Sequence, residues 1–342
     1  MDLLSPSVRY RAKYPLDELG KLGIRCHLIF PSAQWSHRFR FLFVVLYAAL
    51  FCRKSTTVLY LQKLYEADVH TRMIQALVKF RNFRIVYDID DAEYLRHDAQ
   101  VMEFFMKRAS SVTVGSEALK SYAKQHNKRV SVLTTPLPDL VLQADIHFDE
   151  CVVGWIGDFN EGDIEHEQFS NKRALYDLVF PAFLDMAYPV KFVILGVHQA
   201  SDARDIKLYF RDCPFVKLEI PLEFDWTNEE AIQRKICSFD MGLAPLINHP
   251  FNVAKSAVKL KQYINNGVPV LASPVGEQVN LFKEGEGGFF CENATDFLNG
   301  MDAIGLLSKR ERLRWRDALM ARREVFQMQV FVQSLLKEIH GE

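Results

Sequence analysis

The chain has 342 residues, 49% of them hydrophobic and 25% charged, and its 42 lysines and arginines face 43 acids for a formal charge of −1. Such a composition supports a large buried core and length enough for two domains, and the charge balance excludes a chain-wide basic field for nucleic acid. Cys26, Cys52, Cys151, Cys213, Cys237 and Cys291 are scattered with no Cys-x-x-Cys pair, and the start carries no signal peptide. That pattern predicts reduced thiols in a cytoplasm and speaks against a zinc site.

The opening MDLLSPSVRYRAKYPLDEL reads as a turn and a first helix, where an α/β domain normally begins on an apolar strand. The expectation is therefore a first strand missing from the front, through a late start site or a truncation. FRFLFVVLYAALFC, residues 39–52, is too short and carries Arg40, so it is not a spanning helix. Within 36–54, Arg38, Arg40, Arg53 and Lys54 surround this apolar stretch. Two readings stand: a buried core helix, or a patch resting peripherally on an anionic membrane face.

VLYLQK (58–63), FRIVYDI (83–89), SSVTVGS (110–116) and RVSVLTT (129–135) alternate with helical spacing, the signature of parallel strands joined by helices. YDIDDAEY places Asp88, Asp90 and Asp91 at one strand end. The cluster reads as a divalent-metal site, as a cleft residue at Asp90, or as a helix cap, for which Asp91 is the candidate. Ser116, after the SVTV strand, is placed to cap the next helix. LPDLVLQADIHFDE, residues 137–150, reads as a linker between a domain at 1–136 and another at 151–325, with 326–342 a C-terminal helix placed to pack back on the first.

The strand series restarts with VVGWIG, VKFVILG, FVKLEI, FDMGLAPL and VPVLASP. The most informative stretch is PFNVAKSAVKLKQYINNGVPVLASPVGE, residues 250–277. As a helix opening near Ser256, it carries Ala257, Leu260 and Ile264 on one face and Lys255, Lys259, Gln262 and Asn266 on another, with Gly267 to end it. A helix start offers unpaired amides and a positive dipole end, so two lysines beside it make a seat for a diphosphate, and Gln262 reaches toward a sugar hydroxyl. A solvated lysine face is the plain alternative. Gly-x-Gly-Gly at 285–288 reads as a surface turn. The ten histidines form no His-x3-His pair, and no Gly-x-Ser-x-Gly elbow occurs.

Residues 239–290 resemble, in order and spacing, the donor-binding half of glycosyltransferase family 4. The resemblance implies an α/β protein of the GT-B fold, two facing Rossmann-like domains with a cleft between them. The family's Glu-x7-Glu pattern, counted back from Gly267, falls on Ala254 and Gln262; both depart from it, and the Lys255, Lys259, Gln262, Tyr263 variant implies lysine and glutamine contacts to the donor instead. By the same resemblance, Gly157 closes the turn near the donor phosphates, Lys172 or Arg173 assists at the following helix start, Ser256 and Ala257 line the donor, and Trp226 of IPLEFDW marks the base, with a buried tryptophan as the other reading. Asp90 stands where the family carries a histidine of a His-Asp pair.

The activity implied is metal-independent, retaining transfer from a nucleoside-diphosphate sugar to a glycan or lipid-linked acceptor in surface polysaccharide synthesis. It needs no cofactor beyond that substrate and no nucleic acid, and it places the protein in the cytoplasm or at the inner face of the cell membrane. Lys255, Lys259 and Asp90 are the expected catalytic residues. The alternatives are an inactive GT-B subunit that binds a partner, and a nucleotide-sugar epimerase of the same fold.

Overall fold

The computed structural model describes residues 5–30, 35–140, 142, 150–159 and 167–341. They fall into two compact units, Met1–Pro138 with Ala254–Ser256 and Phe326–Glu342, and Asp139–Val253 with Ala257–Val325. Most of the stretch 137–150 lies outside the described residues.

The first unit holds a parallel sheet in the order β1-β2-β3-β4, formed by Val58–Gln62, Arg84–Ile89, Ser111–Val114 and Val130–Val132. These are the four β-branched runs of the sequence, and β2 and β3 are buried on both faces as their near-continuous apolar character requires. The register sets Gln62 beside Asp88 and Ile89 beside Val114. Lys63, Asp90 and Gly115 consequently leave the sheet at one edge.

Before β1, Pro6–Lys21 is helical, with a π-turn at Arg9–Lys13. The C-terminal helix Met328–His340 packs on Tyr14–Lys21 and β2, where Met328, Phe331, Val332 and Leu335 share a core with Leu19, Val86 and Leu133. Arg11 is buried there, its Nε 2.9 Å from Asp88 Oδ2 and its Nη2 2.6 Å from Asp88 Oδ1. Thr113 Oγ1 donates to the same carboxylate at 2.6 Å.

The helix Trp35–Phe51 lies against Val69–Phe80, yet Phe39, Phe43, Leu50 and Phe51 are 65%, 69%, 66% and 70% exposed. The core-helix reading of this run does not hold: hydropathy is high around the whole helix, and these four side chains stay mostly exposed. No helix among the described residues is long and apolar enough to cross a membrane.

The second unit holds a seven-stranded parallel sheet, β10-β11-β9-β8-β5-β6-β7. Its strands are β5 Cys151–Ile156, β6 Val190–Leu195, β7 Val216–Glu219, β8 Met241–Ala244, β9 Val270–Ala272, β10 Lys283–Glu284 and β11 Gly287–Phe290. Phe180, Phe183, Phe192 and Phe210 fill one side of it with Trp155 and Phe297, and Phe183 stacks on Phe192 at 4.2 Å. The Gly-x-Gly-Gly run is a surface turn only in its first half, where Gly285 and the exposed Glu286 turn the chain. Gly287 and Gly288 open β11, and a Cβ on Gly288 would fall 2.2 Å from the Val270 carbonyl oxygen, so glycine lets β11 close on β9. Chain order reverses direction between β5 and β8, the switch point outside which open α/β sheets bind ligands at the strand C-termini.

Candidate functional site

At the switch point of the second unit, β5 ends and Gly157 donates its amide to Leu195 O at 3.0 Å. Gly196 follows β6 with φ +119°, and a Cβ there would lie 1.6 Å from Gly157 O, so the two turns are pressed together and leave no room for side chains. Beside them, Lys259 brings its Cε within 3.1 Å of where a Gly157 Cβ would stand. Its ammonium lies 4.5 Å over the Trp155 ring and 3.5 Å from Asn171 Oδ1. A cation is thereby held against bare backbone where a phosphate can approach.

Lys259 is carried by the helix Val258–Asn265, which opens two residues later than the spacing implied. Ala257 takes a left-handed φ of +54° as its N-cap, a conformation in which alanine gives no sequence signal. Lys255 and Ser256 therefore precede the helix, and Lys255 does not share a helical face with Lys259. The amides available at this helix start are those of Val258, Lys259 and Leu260.

The C-terminus follows expectation. Gly267 adopts φ +69°, with Gly267 N to Ile264 O at 3.1 Å and Val268 N to Tyr263 O at 3.0 Å, the paired bonds of a Schellman end. Leu260 to Asn265 are all buried, and Lys255 and Lys259, on which the solvated-face alternative rests, are half-buried. Gln262 is 7% exposed, and its carbonyl accepts from Asn266 Nδ2 at 2.8 Å. The Tyr263 hydroxyl accepts from Ile156 N at 3.1 Å and donates toward Leu243 O at 3.2 Å, spanning β5 and β8 from below.

The other donor candidates lie around this point. Lys172 is paired with Asp202 at 2.9 Å, and Arg173 with Asp177 at 2.6 Å. Trp226 is neither buried nor isolated: it is half-exposed after β7, 5.1 Å from the Phe224 ring and 6.2 Å from the His198 ring. His198 in turn lies 3.8 Å from Asp158, next to Gly157. A cavity of about 710 Å³ opens among Arg173, Asp177, Ser273 and Glu292; Arg173, the alternative to Lys172, lines it, while Gly157, Trp226, Ser256, Ala257, Lys259 and Gln262 do not.

In the first unit, the three aspartates have three separate surroundings. Asp88 is the buried partner of Arg11. Asp91 caps nothing: the next helical turn, Glu93–Leu95, has Ala92 at its N-cap, and Asp91 instead receives Lys63 Nζ at 2.5 Å. Asp90 is 5% exposed; its Oδ2 accepts from Ser7 Oγ, while Oδ1 is buried and takes no hydrogen bond. Burial pushes the Asp90 carboxyl above its usual range, against the pull of Lys63. Burial acts the same way on Asp91, but Lys63 and Lys255 outweigh it and hold that carboxyl low.

Lys255 and Ser256 belong to this unit. Burial lowers the Lys255 ammonium, with Asp91 opposing, and Ser256 Oγ sits 2.7 Å from Thr135 Oγ1. Ser116 caps its helix by accepting from Leu119 N at 3.3 Å and donates to Ala254 O at 2.7 Å. Sequence reasoning missed Lys63 and Asn171, whose partners lie 28 and 88 residues away.

No family model and no curated protein matches the chain. Solved structures do. HepE of Anabaena in complex with UDP-glucose is similar at 13% identity and a TM-score of 0.65, over 96% of this chain and 89% of that one. Sucrose-phosphate synthase of Thermosynechococcus elongatus is similar at 13% identity and 0.67, over 88% and 77%. The lipopolysaccharide outer core galactosyltransferase WaaB, in its apo form, is similar at 13% and 0.60, over 90% and 81%. These neighbours are GT-B glycosyltransferases. With its two parallel sheets, the chain is of that fold class, an α/β protein of two Rossmann-like units.

Proposed function

We propose that this protein is a glycosyltransferase of the family 4 type, moving a sugar from a nucleoside-diphosphate sugar to a glycan or lipid-linked acceptor. The observation that carries the reading is the Lys259 ammonium set beside the side-chain-free turn of Gly157, at the switch point of a Rossmann-like sheet. HepE, similar in fold, was solved with UDP-glucose, which fits a nucleotide-sugar donor at such a point.

In this reading the leaving diphosphate gains negative charge as the glycosidic bond breaks. Lys259 and the first-turn amides of Val258–Asn265 then stabilise the transition state more than the ground state. Lys255 supplies a second cation, Gln262 and Trp226 contact the nucleoside side of the donor, and Lys172 supports the phosphates from its helix start. Asp90 orients the acceptor hydroxyl. Transfer proceeds with retention and without a metal.

The helix Trp35–Phe51 supports an acceptor embedded in a membrane. Its exposed phenylalanines and leucines lie in a stretch, residues 19–65, that has no acidic residue and carries Lys21, Arg25, Arg38, Arg40, Arg53, Lys54 and Lys63. Apolar side chains on a helix that carries Arg38 and Arg40, with Arg53 and Lys54 just beyond its end, suit the cytoplasmic face of an anionic bilayer. Phe43→Ser with Leu50→Ser is expected to abolish sedimentation with phosphatidylglycerol vesicles while leaving nucleotide binding intact.

The deciding experiment is calorimetric titration with UDP, GDP and ADP, followed by incubation with the matching nucleotide sugars with and without membrane extract. Binding of one nucleoside diphosphate and extract-dependent consumption of its sugar are expected. Binding without any turnover would favour the partner-binding subunit, isomerised donor would favour the epimerase, and no binding at all would overturn the donor site.

A further inference from the structure

Lys63 leaves β1 with φ +54°, one of two non-glycine residues with positive φ among the described residues. Its amide donates to Asp88 O at 2.9 Å, so the backbone bends over the end of β2 and the side chain turns back onto the residues that follow that strand. The ammonium stands 2.5 Å from Asp91 Oδ2, 3.4 Å from Glu93 Oε1 and 3.7 Å from Asp90 Oδ1. One buried cation thus serves three carboxylates, and a left-handed backbone that L side chains rarely adopt fixes where it stands.

The division among the three is unequal. Asp91 takes the short contact, and Glu93 is also approached by Arg96 at 3.6 Å and His97 at 3.6 Å. Asp90 keeps only the long contact on Oδ1, an oxygen with no hydrogen-bond donor. The groups facing Asp90 are Ser7 and Arg11 from the N-terminal helical run, Lys63 from the end of β1, and neighbouring Asp91. At Gly115, after β3, a Cβ would fall 3.2 Å from the Asp90 Cα and 3.2 Å from the Ser256 Cβ, so this side brings no side chain of its own to Asp90.

We propose that Lys63 is the positioning residue for Asp90: by binding Asp91 and Glu93 closely and Asp90 at a distance, it holds the Asp90 carboxylate ionised and in place to accept a hydrogen bond from the acceptor's hydroxyl. The assignment rests on the proposed role of Asp90 in orienting the acceptor. Lys63 itself touches no substrate. A purely structural lysine would affect stability alone; a positioning lysine also sets the pH at which Asp90 gains its charge, because the cation draws that carboxyl down against the rise caused by burial.

The test is the pH profile of transfer at saturating donor for wild type, Lys63→Met, Lys63→Arg, Glu93→Gln and Asp90→Asn, with nucleotide affinity and melting temperature measured on each. Wild type is expected to lose rate on the acid side as Asp90 protonates. Lys63→Met should move that limb up by about one pH unit or more and lower the neutral-pH rate about tenfold, with nucleotide affinity unchanged, and Lys63→Arg should restore most of both. Glu93→Gln, which releases Lys63 toward Asp90, should move the limb down, and this variant carries the test if Lys63→Met does not fold. An acid limb that disappears in Asp90→Asn but stays fixed in the Lys63 and Glu93 variants overturns the role of Lys63. A limb that persists unchanged in Asp90→Asn overturns instead the reading of Asp90.

Discussion

Replacing Lys259 by methionine keeps the aliphatic stem packed beside Gly157 and over Trp155 while removing the ammonium held at the switch point. If the ammonium contacts the donor diphosphate, the loss is that of a charge-assisted hydrogen bond, about 1.5–3 kcal/mol. That corresponds to a nucleoside-diphosphate affinity weaker by about 10- to 150-fold. Trp155 is fully buried, so the same substitution also removes a cation held 4.5 Å above its ring; this contributes about 0.5–2 kcal/mol to stability and will lower the melting temperature modestly. Titration by calorimetry at a fixed ionic strength separates the two effects, since only folded protein binds and a constant salt concentration holds the screening of the charge contact constant. A methionine variant that melts earlier but binds the preferred nucleoside diphosphate as tightly as wild type would show that Lys259 is a packing residue and refute the donor site.

Transfer activity is expected to survive excess EDTA, because the proposed charge stabilisation comes from Lys259 and backbone amides; reversible loss restored by manganese would contradict it. Arg11→Met is expected to cost about 3–5 kcal/mol, since Asp88 would remain fully buried without its bidentate partner, and a denaturant midpoint close to wild type would show that the pair is not anchoring the N-terminal run. Asp68 caps Val69–Phe80 by accepting from Thr71 N at 2.7 Å; although burial opposes it, this bond and His70 hold its carboxyl below the usual range. A depressed folded-state value means the contribution is present above about pH 4 and is lost as pH falls through it. Asp68→Ala should therefore cost about 1 kcal/mol at neutral pH, with the gap to wild type closing as acid protonates the carboxylate in urea melts.

Strands β1 to β9 were legible because each is a short β-branched or apolar run between helical segments, and burial on both faces leaves that mark whatever the tertiary detail. β11 was not, because its buried positions are glycines, chosen for closeness to Val270 rather than for hydropathy. The core reading of the helix Trp35–Phe51 failed for the opposite reason: its composition is that of a core element, and only packing reveals that Phe43, Leu50 and Phe51 stay exposed. At the site, Lys259 and Gly157 were legible from the spacing of one segment and its resemblance. The start of their helix was displaced because alanine holds the left-handed turn where glycine would have announced it. Lys63 was invisible, a single lysine after a strand whose meaning depends on acids that come close only through the register of β1 on β2.

The Tyr263 hydroxyl, bonded to the backbones of both β5 and β8, pins Val258–Asn265 against rotation about its own axis and against sliding along the sheet. Lys259 rides one turn earlier on the same helix, so the base of its side chain is set beside Gly157 when the chain folds; in the role proposed for it, that placement is made once and not repeated at each turnover. A phenylalanine at 263 would leave the Ile156 amide without its acceptor and slacken that mounting. Any such loss would fall on the rate of reaction through a residue that never meets the substrate.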